Sequence, residues 1–98
     1  MDIKLESKGK TNAGIILYNE NKAKISDIVR AKLHSSINDG GMILTLYDDH
    51  GDSISIVGAF TGGYWGEGPA GTFDVLKDAG FDVSESFIKG NEKFDIRK

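Results

Sequence analysis

Alternating apolar and polar residues in the middle of the chain predict a β-hairpin. Met42, Leu44 and Leu46 alternate with their neighbours, and after the turn sequence "DDHGD" the same alternation continues at Ile54 and Ile56. A period of two places successive side chains on opposite faces of a strand. The pattern therefore predicts two antiparallel strands with these aliphatic residues in the core and with the following residues on the other face: Thr45, Ser53 and Ser55.

A second hairpin is predicted at the beginning of the chain. Ile3 and Leu5 alternate with charged residues, "SKGKTNAG" supplies turn residues, and residues 15–18 are interpreted as the returning strand. The letters "GKT" also suggest a phosphate-binding loop, but that motif requires a glycine where this chain has Lys4. We therefore interpret the segment as a turn.

Two segments have helical spacing. Between residues 21 and 38 the apolar residues recur at intervals of three and four, and "NDGG" follows, which predicts a first helix on these positions: Ile25, Ile28, Val29, Leu33 and Ile37. A second helix is predicted from Pro69 to Ala79, because proline is well suited to a first turn. Gly80 is expected at the left-handed position after this helix, bringing Phe81 back onto Leu76.

The last segment, "SFIKGNEKFDIRK", is interpreted as a closing hairpin with Gly90 and Asn91 at the turn and with Phe94 and Ile96 facing the core. The elements then follow the order ββαββαββ. This order predicts an α+β fold in which two helices pack on one face of an antiparallel sheet, as a two-layer sandwich. A chain of 98 residues fills one hydrophobic core, so residues 1–98 are expected to form a single domain.

Composition narrows the classes of function. The chain has no cysteine, which excludes disulfides, thiolate nucleophiles and cysteine-ligated zinc. No apolar run approaches the roughly 18 residues that span a bilayer, and the first residues have no apolar signal region. We therefore expect a cytoplasmic protein that does not contact membranes.

Charge is distributed unevenly along the chain. Residues 1–32 carry seven basic and four acidic residues, whereas residues 33–76 have no lysine or arginine and six acids. Such an acidic zone disfavours direct binding of nucleic acid and favours a basic protein as partner.

Catalytic and metal motifs are not apparent in the sequence. No Ser-His-Asp spacing, zinc motif or carboxylate dyad is recognisable, so we expect no catalytic residues and no cofactor. The segment "YDDHGD" clusters metal-ligand types, yet it lacks the spacing of a calcium loop and has the composition of a hairpin turn. We therefore expect no dedicated metal site there.

The strongest candidate site is the stretch "FTGGYWGEGPAGT", which leads from the central hairpin into the second helix. Tyr64 and Trp65 beside Glu67 have the composition of a protein-binding hot spot. The predicted binding residues are Tyr64, Trp65, Gly66, Glu67, Gly68, Ala70, Gly71 and Thr72. An acidic rim is expected beside them, formed by Asp48, Asp49 and Asp52. The sequence thus predicts a small interaction protein, such as an inhibitor, immunity or regulatory factor, that binds a basic protein.

Two alternatives remain open from the sequence. In one, the stretch binds a small molecule or nucleotide through free N–H groups of Ala70, Gly71 and Thr72, with aromatic stacking by Tyr64 and Trp65. In the other, the two aromatic residues fold back and cap the core, and the glycines only reverse the chain. The sequence also leaves open a small enzyme in which a second chain supplies the missing groups of a shared active site. The oligomeric state is not predicted.

Overall fold

The strands form one mixed five-stranded sheet in an α+β fold. The computed structural model describes residues 1–36, 38 and 41–98. Along the chain the elements are β1 (Asp2–Glu6), α1 (Thr11–Asn21), a 3-10 turn (Lys22–Lys24), β2 (Ile28–Ser36), β3 (Gly41–Asp48), β4 (Ser53–Val57), α2 (Glu67–Asp78), α3 (Glu85–Gly90) and β5 (Phe94–Arg97). The strand order across the sheet is β1-β4-β3-β2-β5.

One face of the sheet carries the core, and all three helices contribute to it. The register aligns Leu33 with Leu44 and then Leu44 with Ile56, so the aliphatic residues of neighbouring strands share a face. The predicted central hairpin, with its inward aliphatic residues, is confirmed. The helices add four buried side chains to the same cluster: Tyr18, Val75, Leu76 and Ile88.

The predicted first hairpin is wrong in its second half, because residues 15–18 lie inside α1. The buried residues of this helix are Gly14, Tyr18 and Asn21, which follow helical spacing, whereas Ile16 is 57% exposed. Two of the three buried positions are therefore not hydrophobic, and an isoleucine faces solvent. A search for regularly spaced apolar residues therefore cannot identify the buried face of α1.

The predicted first helix is also wrong: residues 28–36 form β2. Ala31 and Leu33 are buried in the core. The residues that alternate with them are half-buried on the opposite face: Arg30, Lys32 and His34. The segment thus alternates with a period of two, and its β-branched residues fit a strand. Residue 37 of the predicted helix, and residues 39–40 of its predicted end, lie outside the described residues.

The sheet is mixed and not antiparallel as predicted, because β1 pairs parallel to β4. The other pairs of neighbouring strands are antiparallel. Parallel pairing follows from the helix that replaces the expected hairpin return. A strand followed by a crossover helix leads to a strand of the same direction, whereas a hairpin reverses the chain.

The predicted closing hairpin is corrected to a short helix followed by a strand. The Phe87 N–H donates to Ser84 Oγ at 3.1 Å, which caps the first turn of α3, and Lys89 pairs with Glu85 one turn away. The described residues therefore contain three α-helices where two were predicted. Phe94 and Ile96 face the core from β5, as predicted.

The second predicted helix is confirmed as α2, with bounds shifted by one or two residues. Gly80 has φ of +94°. The Gly80 N–H donates to the Lys77 carbonyl at 3.1 Å, and the Phe81 N–H donates to the Leu76 carbonyl at 2.9 Å. These two bonds are those of a Schellman motif, and Phe81 and Leu76 are both buried in the core. The helix end therefore forms as its local sequence predicts.

Two glycines allow α1 and α2 to pack closely around Phe60. A Cβ atom on Gly14 would lie 2.2 Å from the Ala59 Cβ and 3.1 Å from Phe60 Cζ. A Cβ atom on Gly71 would lie 2.3 Å from Thr11 Cγ2 and 3.3 Å from the Phe60 ring. Both helices thus contact Phe60 through backbone, and the chain enters the candidate loop from this packed position.

The dimensions match one packed body. The radius of gyration is 11.9 Å, compared with about 13 Å for a compact domain of about 100 residues. In the described part of the chain, no helix has the length and apolar character required to cross a membrane.

We predict that Gly14→Ala destabilises the protein by about 1 kcal/mol. Alanine should gain about 1 kcal/mol in helix propensity, but the new methyl group overlaps Ala59, and overpacking costs about 1–3 kcal/mol. Urea denaturation would measure the change in the free energy of unfolding. Gly90→Ala is the matched control, because a Cβ atom at this helical glycine has no atom within 4 Å. Equal or increased stability of Gly14→Ala would contradict the prediction.

Candidate functional site

The segment that follows Phe60 is hydrogen-bonded to the last turn of α3. We call residues 61–66 the aromatic loop. The Gly63 N–H donates to the Ile88 carbonyl at 3.0 Å. A Cβ atom on Gly62 would lie 2.2 Å from the Asn91 carbonyl oxygen, and Gly63 has φ of +86°. Glycine is therefore required at both positions, by a close approach at Gly62 and by backbone conformation at Gly63.

Tyr64 lies over the first turn of α2 and is half exposed. Its hydroxyl group is 2.9 Å from Thr61 Oγ1, and either oxygen can act as the donor. Gly66 and Gly68 make room for this arrangement, since a Cβ atom on Gly66 would lie 2.7 Å from the tyrosine ring. The Thr72 hydroxyl donates to the Thr61 carbonyl at 2.7 Å, which fixes the beginning of the loop to α2.

Trp65 is the most exposed large hydrophobic side chain of the described residues, with 81% of its surface accessible. The Lys89 ammonium lies 3.2 Å from the centroid of its ring. The same ammonium donates to Glu85 Oε2 at 3.0 Å, and the Lys89 side chain is only 12% exposed. One face of the indole thus rests on a cation that a carboxylate holds in place, and the other face is open to solvent. The alternative in which the aromatic residues cap the core does not hold for Trp65.

Three acids belong to elements that surround the aromatic loop. Glu67 is the first residue of α2, and Glu85 is the first residue of α3. Glu92 lies against the loop, because a Cβ atom on Gly63 would come within 3.1 Å of its Cα. All three residues are exposed. Each has a basic neighbour: Lys10 lines the same pocket as Glu67, Lys89 pairs with Glu85, and Lys93 follows Glu92. Glu67 was predicted from the sequence, whereas Glu85, Lys89 and Glu92 were not. The spacing of Glu85 and Lys89 by four residues was the available helical pattern.

The structure places the predicted acidic rim away from the aromatic loop. Asp48, Asp49 and Asp52 form the turn between β3 and β4, at the end of the sheet where β4 begins. The loop leaves the opposite end of β4, after Val57, and five strand residues span roughly 13 Å at about 3.3 Å per residue. Closeness in sequence to the hairpin therefore does not bring these carboxylates beside the two aromatic side chains.

Asp48 is a structural residue of this turn. It is 6% exposed, and its carboxylate accepts hydrogen bonds from the backbone N–H groups of Ser26 at 2.9 Å, His50 at 2.9 Å and Asp52 at 2.8 Å. Desolvation favours the neutral acid, but these three donors together hold the pKa of Asp48 below its usual value. Asp52 pairs with the amino group of Met1, and Asp49 lies 3.7 Å from His50.

The predicted N–H donors at the beginning of α2 are largely inside the helix. The helix begins at Glu67, two residues before the predicted start, and the Ala70 N–H donates to the Gly66 carbonyl at 3.2 Å. Gly68, Gly71 and Thr72 are buried against Thr61 and Phe60. The predicted set thus divides into an exposed part, residues 64–67 with Ala70, and a buried part that positions it.

A second polar cluster links α1 to α2. The Tyr18 hydroxyl donates to Asp78 Oδ2 at 2.7 Å, and Lys22 Nζ donates to the same oxygen at 2.9 Å. Burial, and then the bond to Asp78, raise the pKa of Tyr18, while the bonds from Tyr18 and Lys22 lower the pKa of Asp78. The cluster therefore keeps a neutral phenol and a carboxylate paired between the two helices.

Metal-ligand residues are dispersed. Within residues 1–36, 38 and 41–98, no group of three His, Cys, Asp or Glu side chains is placed to hold a metal ion. In the Asp48 turn the carboxylate oxygens of Asp48 accept backbone hydrogen bonds instead.

The pKa of Asp48 predicts how stability depends on pH. A carboxyl group whose folded pKa lies below its unfolded pKa stabilises the fold above the unfolded value, and this contribution is lost as the pH falls through the folded value. Asp48→Asn should therefore lower stability at pH 7 and reduce its decline between about pH 5 and pH 2. Thermal unfolding at several pH values would test this. Asp49→Asn is the control, because this exposed carboxylate should contribute little; identical pH profiles for the two variants would refute the role of Asp48.

Trp65 is the only tryptophan, so its fluorescence reports on the aromatic loop alone. We predict emission typical of water-exposed indole and acrylamide quenching at least half as strong as in the unfolded protein. The exposed indole face supports this expectation, and denaturant provides the reference for full access. Emission typical of a buried indole, with weak quenching in the folded protein, would contradict the exposed position of Trp65.

Comparisons with known proteins leave the site to be interpreted from its own geometry. No protein-family model matches the chain. A search of curated proteins and a search of solved structures each found no match. The contacts, exposure and charges of the aromatic loop are therefore the basis for a function.

Proposed function

We propose that this protein is a small, non-enzymatic interaction domain that binds a basic protein through the aromatic loop and the acids around it. The observation that carries the proposal is the position of Trp65, 81% exposed yet fixed in place. An inhibitor, an immunity factor or a regulatory factor would each act in this way. The cysteine-free composition supports a cytoplasmic location for such a domain.

Exposure of two neighbouring aromatic side chains supports a binding role. Tyr64 is 50% exposed, and Trp65 follows it directly. Tryptophan and tyrosine are the residues most enriched at the energetic centres of protein interfaces, since they bury a large area with few rotatable bonds. Covering both side chains in a complex would remove an apolar patch from water.

The fixed conformation of the aromatic loop supports the same role. Gly63 is hydrogen-bonded to α3 and Thr61 to α2, and the Trp65 ring stacks against the Lys89 ammonium. A loop that is already ordered loses little conformational entropy when it binds, so more of the contact energy contributes to affinity. The glycines therefore shape the site, although they form few of its exposed contacts.

Exposed carboxylates beside the two aromatic side chains can pair with a basic partner. Glu67, Glu85 and Glu92 surround the loop, and Lys89 is already paired with Glu85. An arginine of the partner could stack on the open face of the indole while pairing with Glu67, as Lys89 stacks on the other face. Surface carboxylates would also accelerate the encounter with a positively charged protein at low salt.

The small-molecule alternative has weaker support. It relies on free N–H groups at Ala70, Gly71 and Thr72, whereas Ala70 donates within α2 and the other two residues are buried. Tyr64 and Trp65 are also 50% and 81% exposed, whereas small-molecule sites are concave and enclose most of the ligand.

We predict that Trp65→Ala and Glu67→Lys each abolish the capture of basic proteins by the immobilised domain without unfolding it. The first change removes the aromatic anchor, and the second reverses a charge beside it, so captured proteins should also elute as salt is raised. Quantitative mass spectrometry of proteins retained from a cell extract would measure the loss. Circular dichroism would verify that both variants fold.

Ile16→Ala is the matched control for this experiment. Ile16 is an exposed apolar residue on α1, 57% accessible, so its replacement tests for nonspecific hydrophobic capture. The control should retain the same basic proteins as the wild type. If Trp65→Ala and Glu67→Lys also retained that set at the same salt concentration, the proposed function would be wrong.

A further inference from the structure

Among residues 1–36, 38 and 41–98, no strand pairs with the outer side of the edge strand β5. It lies at the end of the strand order and pairs with β2 on one side. The Lys98 N–H donates to the Val29 carbonyl at 3.0 Å, which directs the backbone groups of Lys98, Ile96 and Phe94 toward β2. Because these groups alternate along a strand, the N–H and C=O groups of Asp95 and Arg97 point away from the sheet.

The charges on this edge are incompletely paired. Arg30 donates from Nε to Asp95 at 2.8 Å and from Nη2 at 2.5 Å, and its guanidinium lies 4.6 Å from the centre of the Tyr47 ring. Arg97 stands directly opposite Arg30 in the register, so two like charges are neighbours. Within the described part of the chain, Arg97 forms no ion pair.

An apolar cleft lies beside the same edge. It has a volume of about 720 Å³, and its apolar lining consists of Phe81, Val83, Phe87 and Ile96. Val83, Phe87 and Ile96 pack against the core but are only partly buried. The core therefore extends to the edge of the sheet, where a further strand would cover it.

We propose that a second copy of this chain pairs with β5 in antiparallel orientation, around a two-fold axis at Ile96. This register places Asp95 opposite Arg97 of the second copy, and Arg97 opposite Asp95 of the second copy. Both residues have outward backbone groups, so each opposed pair exchanges its N–H···O bonds in both directions. The two five-stranded sheets then form one continuous sheet.

Charge complementarity favours a second copy over other occupants. An edge of one charge sign would repel its own copy, and natural sheets use such edges to prevent pairing. Here the signs alternate in "DIR", so the two-fold arrangement joins opposite charges at both places. The Asp95 carboxylate accepts two hydrogen bonds from Arg30 of its own copy, and its remaining lone pairs face Arg97 of the second copy. The Ile96 side chains of the two copies meet on the core face and cover the adjoining cleft.

The dimer is expected to be weak and closed. β5 has four residues, and interfaces below about 1,200 Å² are typical of transient complexes. A two-fold contact uses the same surface on both copies, so association stops at two chains. The dimer is independent of the partner proposed for the aromatic loop, since its contacts involve other residues.

Sedimentation equilibrium of the full chain from about 10 µM to 1 mM covers the range of such a weak contact. We expect a monomer–dimer equilibrium. Arg97→Glu places two carboxylates opposite each other at both symmetric positions and should raise the dissociation constant at least tenfold. Arg97→Gln removes the charge without repulsion, so its dissociation constant should lie between those of Arg97→Glu and the wild type.

Lys10→Glu is the control with the same change of charge. Lys10 is exposed and follows β1, at the opposite edge of the sheet, so this variant should dimerise like the wild type. Circular dichroism of each variant would verify its fold. A monomer throughout the range, assembly beyond the dimer, or equal dissociation constants for Arg97→Glu and Lys10→Glu would overturn the proposal.

Discussion

The close approach of α1 and α2 around Phe60 determines where the candidate site lies. Gly14 and Gly71 bring the two helix backbones against this ring, and larger residues would collide with Ala59 or Thr11. Phe60 directly precedes the aromatic loop, and the next residue, Thr61, accepts a hydrogen bond from Thr72. The position of an exposed loop thus follows from packing in the core, because close-packed interiors allow few alternative arrangements.

The parts of the fold that could be predicted are those with local physical causes. In the β3–β4 hairpin the core residues recur with a period of two, at Leu44 and Leu46 and at Ile54 and Ile56. The end of α2 depends on a glycine that accepts a positive φ. The helix α1 could not be recognised by periodicity, because it is buried through Gly14, Tyr18 and Asn21. Tertiary contacts around these residues, rather than an apolar stripe, stabilise that helix.

The candidate site was predictable in composition but not in arrangement. Tyr64, Trp65 and Glu67 were identified because aromatic and acidic residues in a glycine-rich segment are distinctive. The neighbours of Trp65 come from α3, about 20 residues further along the chain, and that helix was mistaken for a hairpin. The Asp48 turn illustrates the opposite error, since residues near in sequence were separated by the full length of β4.

The strand order also predicts the order in which parts of the sheet fold. β2, β3 and β4 are consecutive neighbours, whereas each edge strand comes from one end of the chain. Asp2 in β1 contacts Ser53 across 51 residues, and Asp95 in β5 contacts Arg30 across 65 residues. Closing these long loops costs more chain entropy than pairing the consecutive strands β2, β3 and β4. Folding is therefore expected to proceed outward from the centre of the sheet, with both edges joining last and opening first.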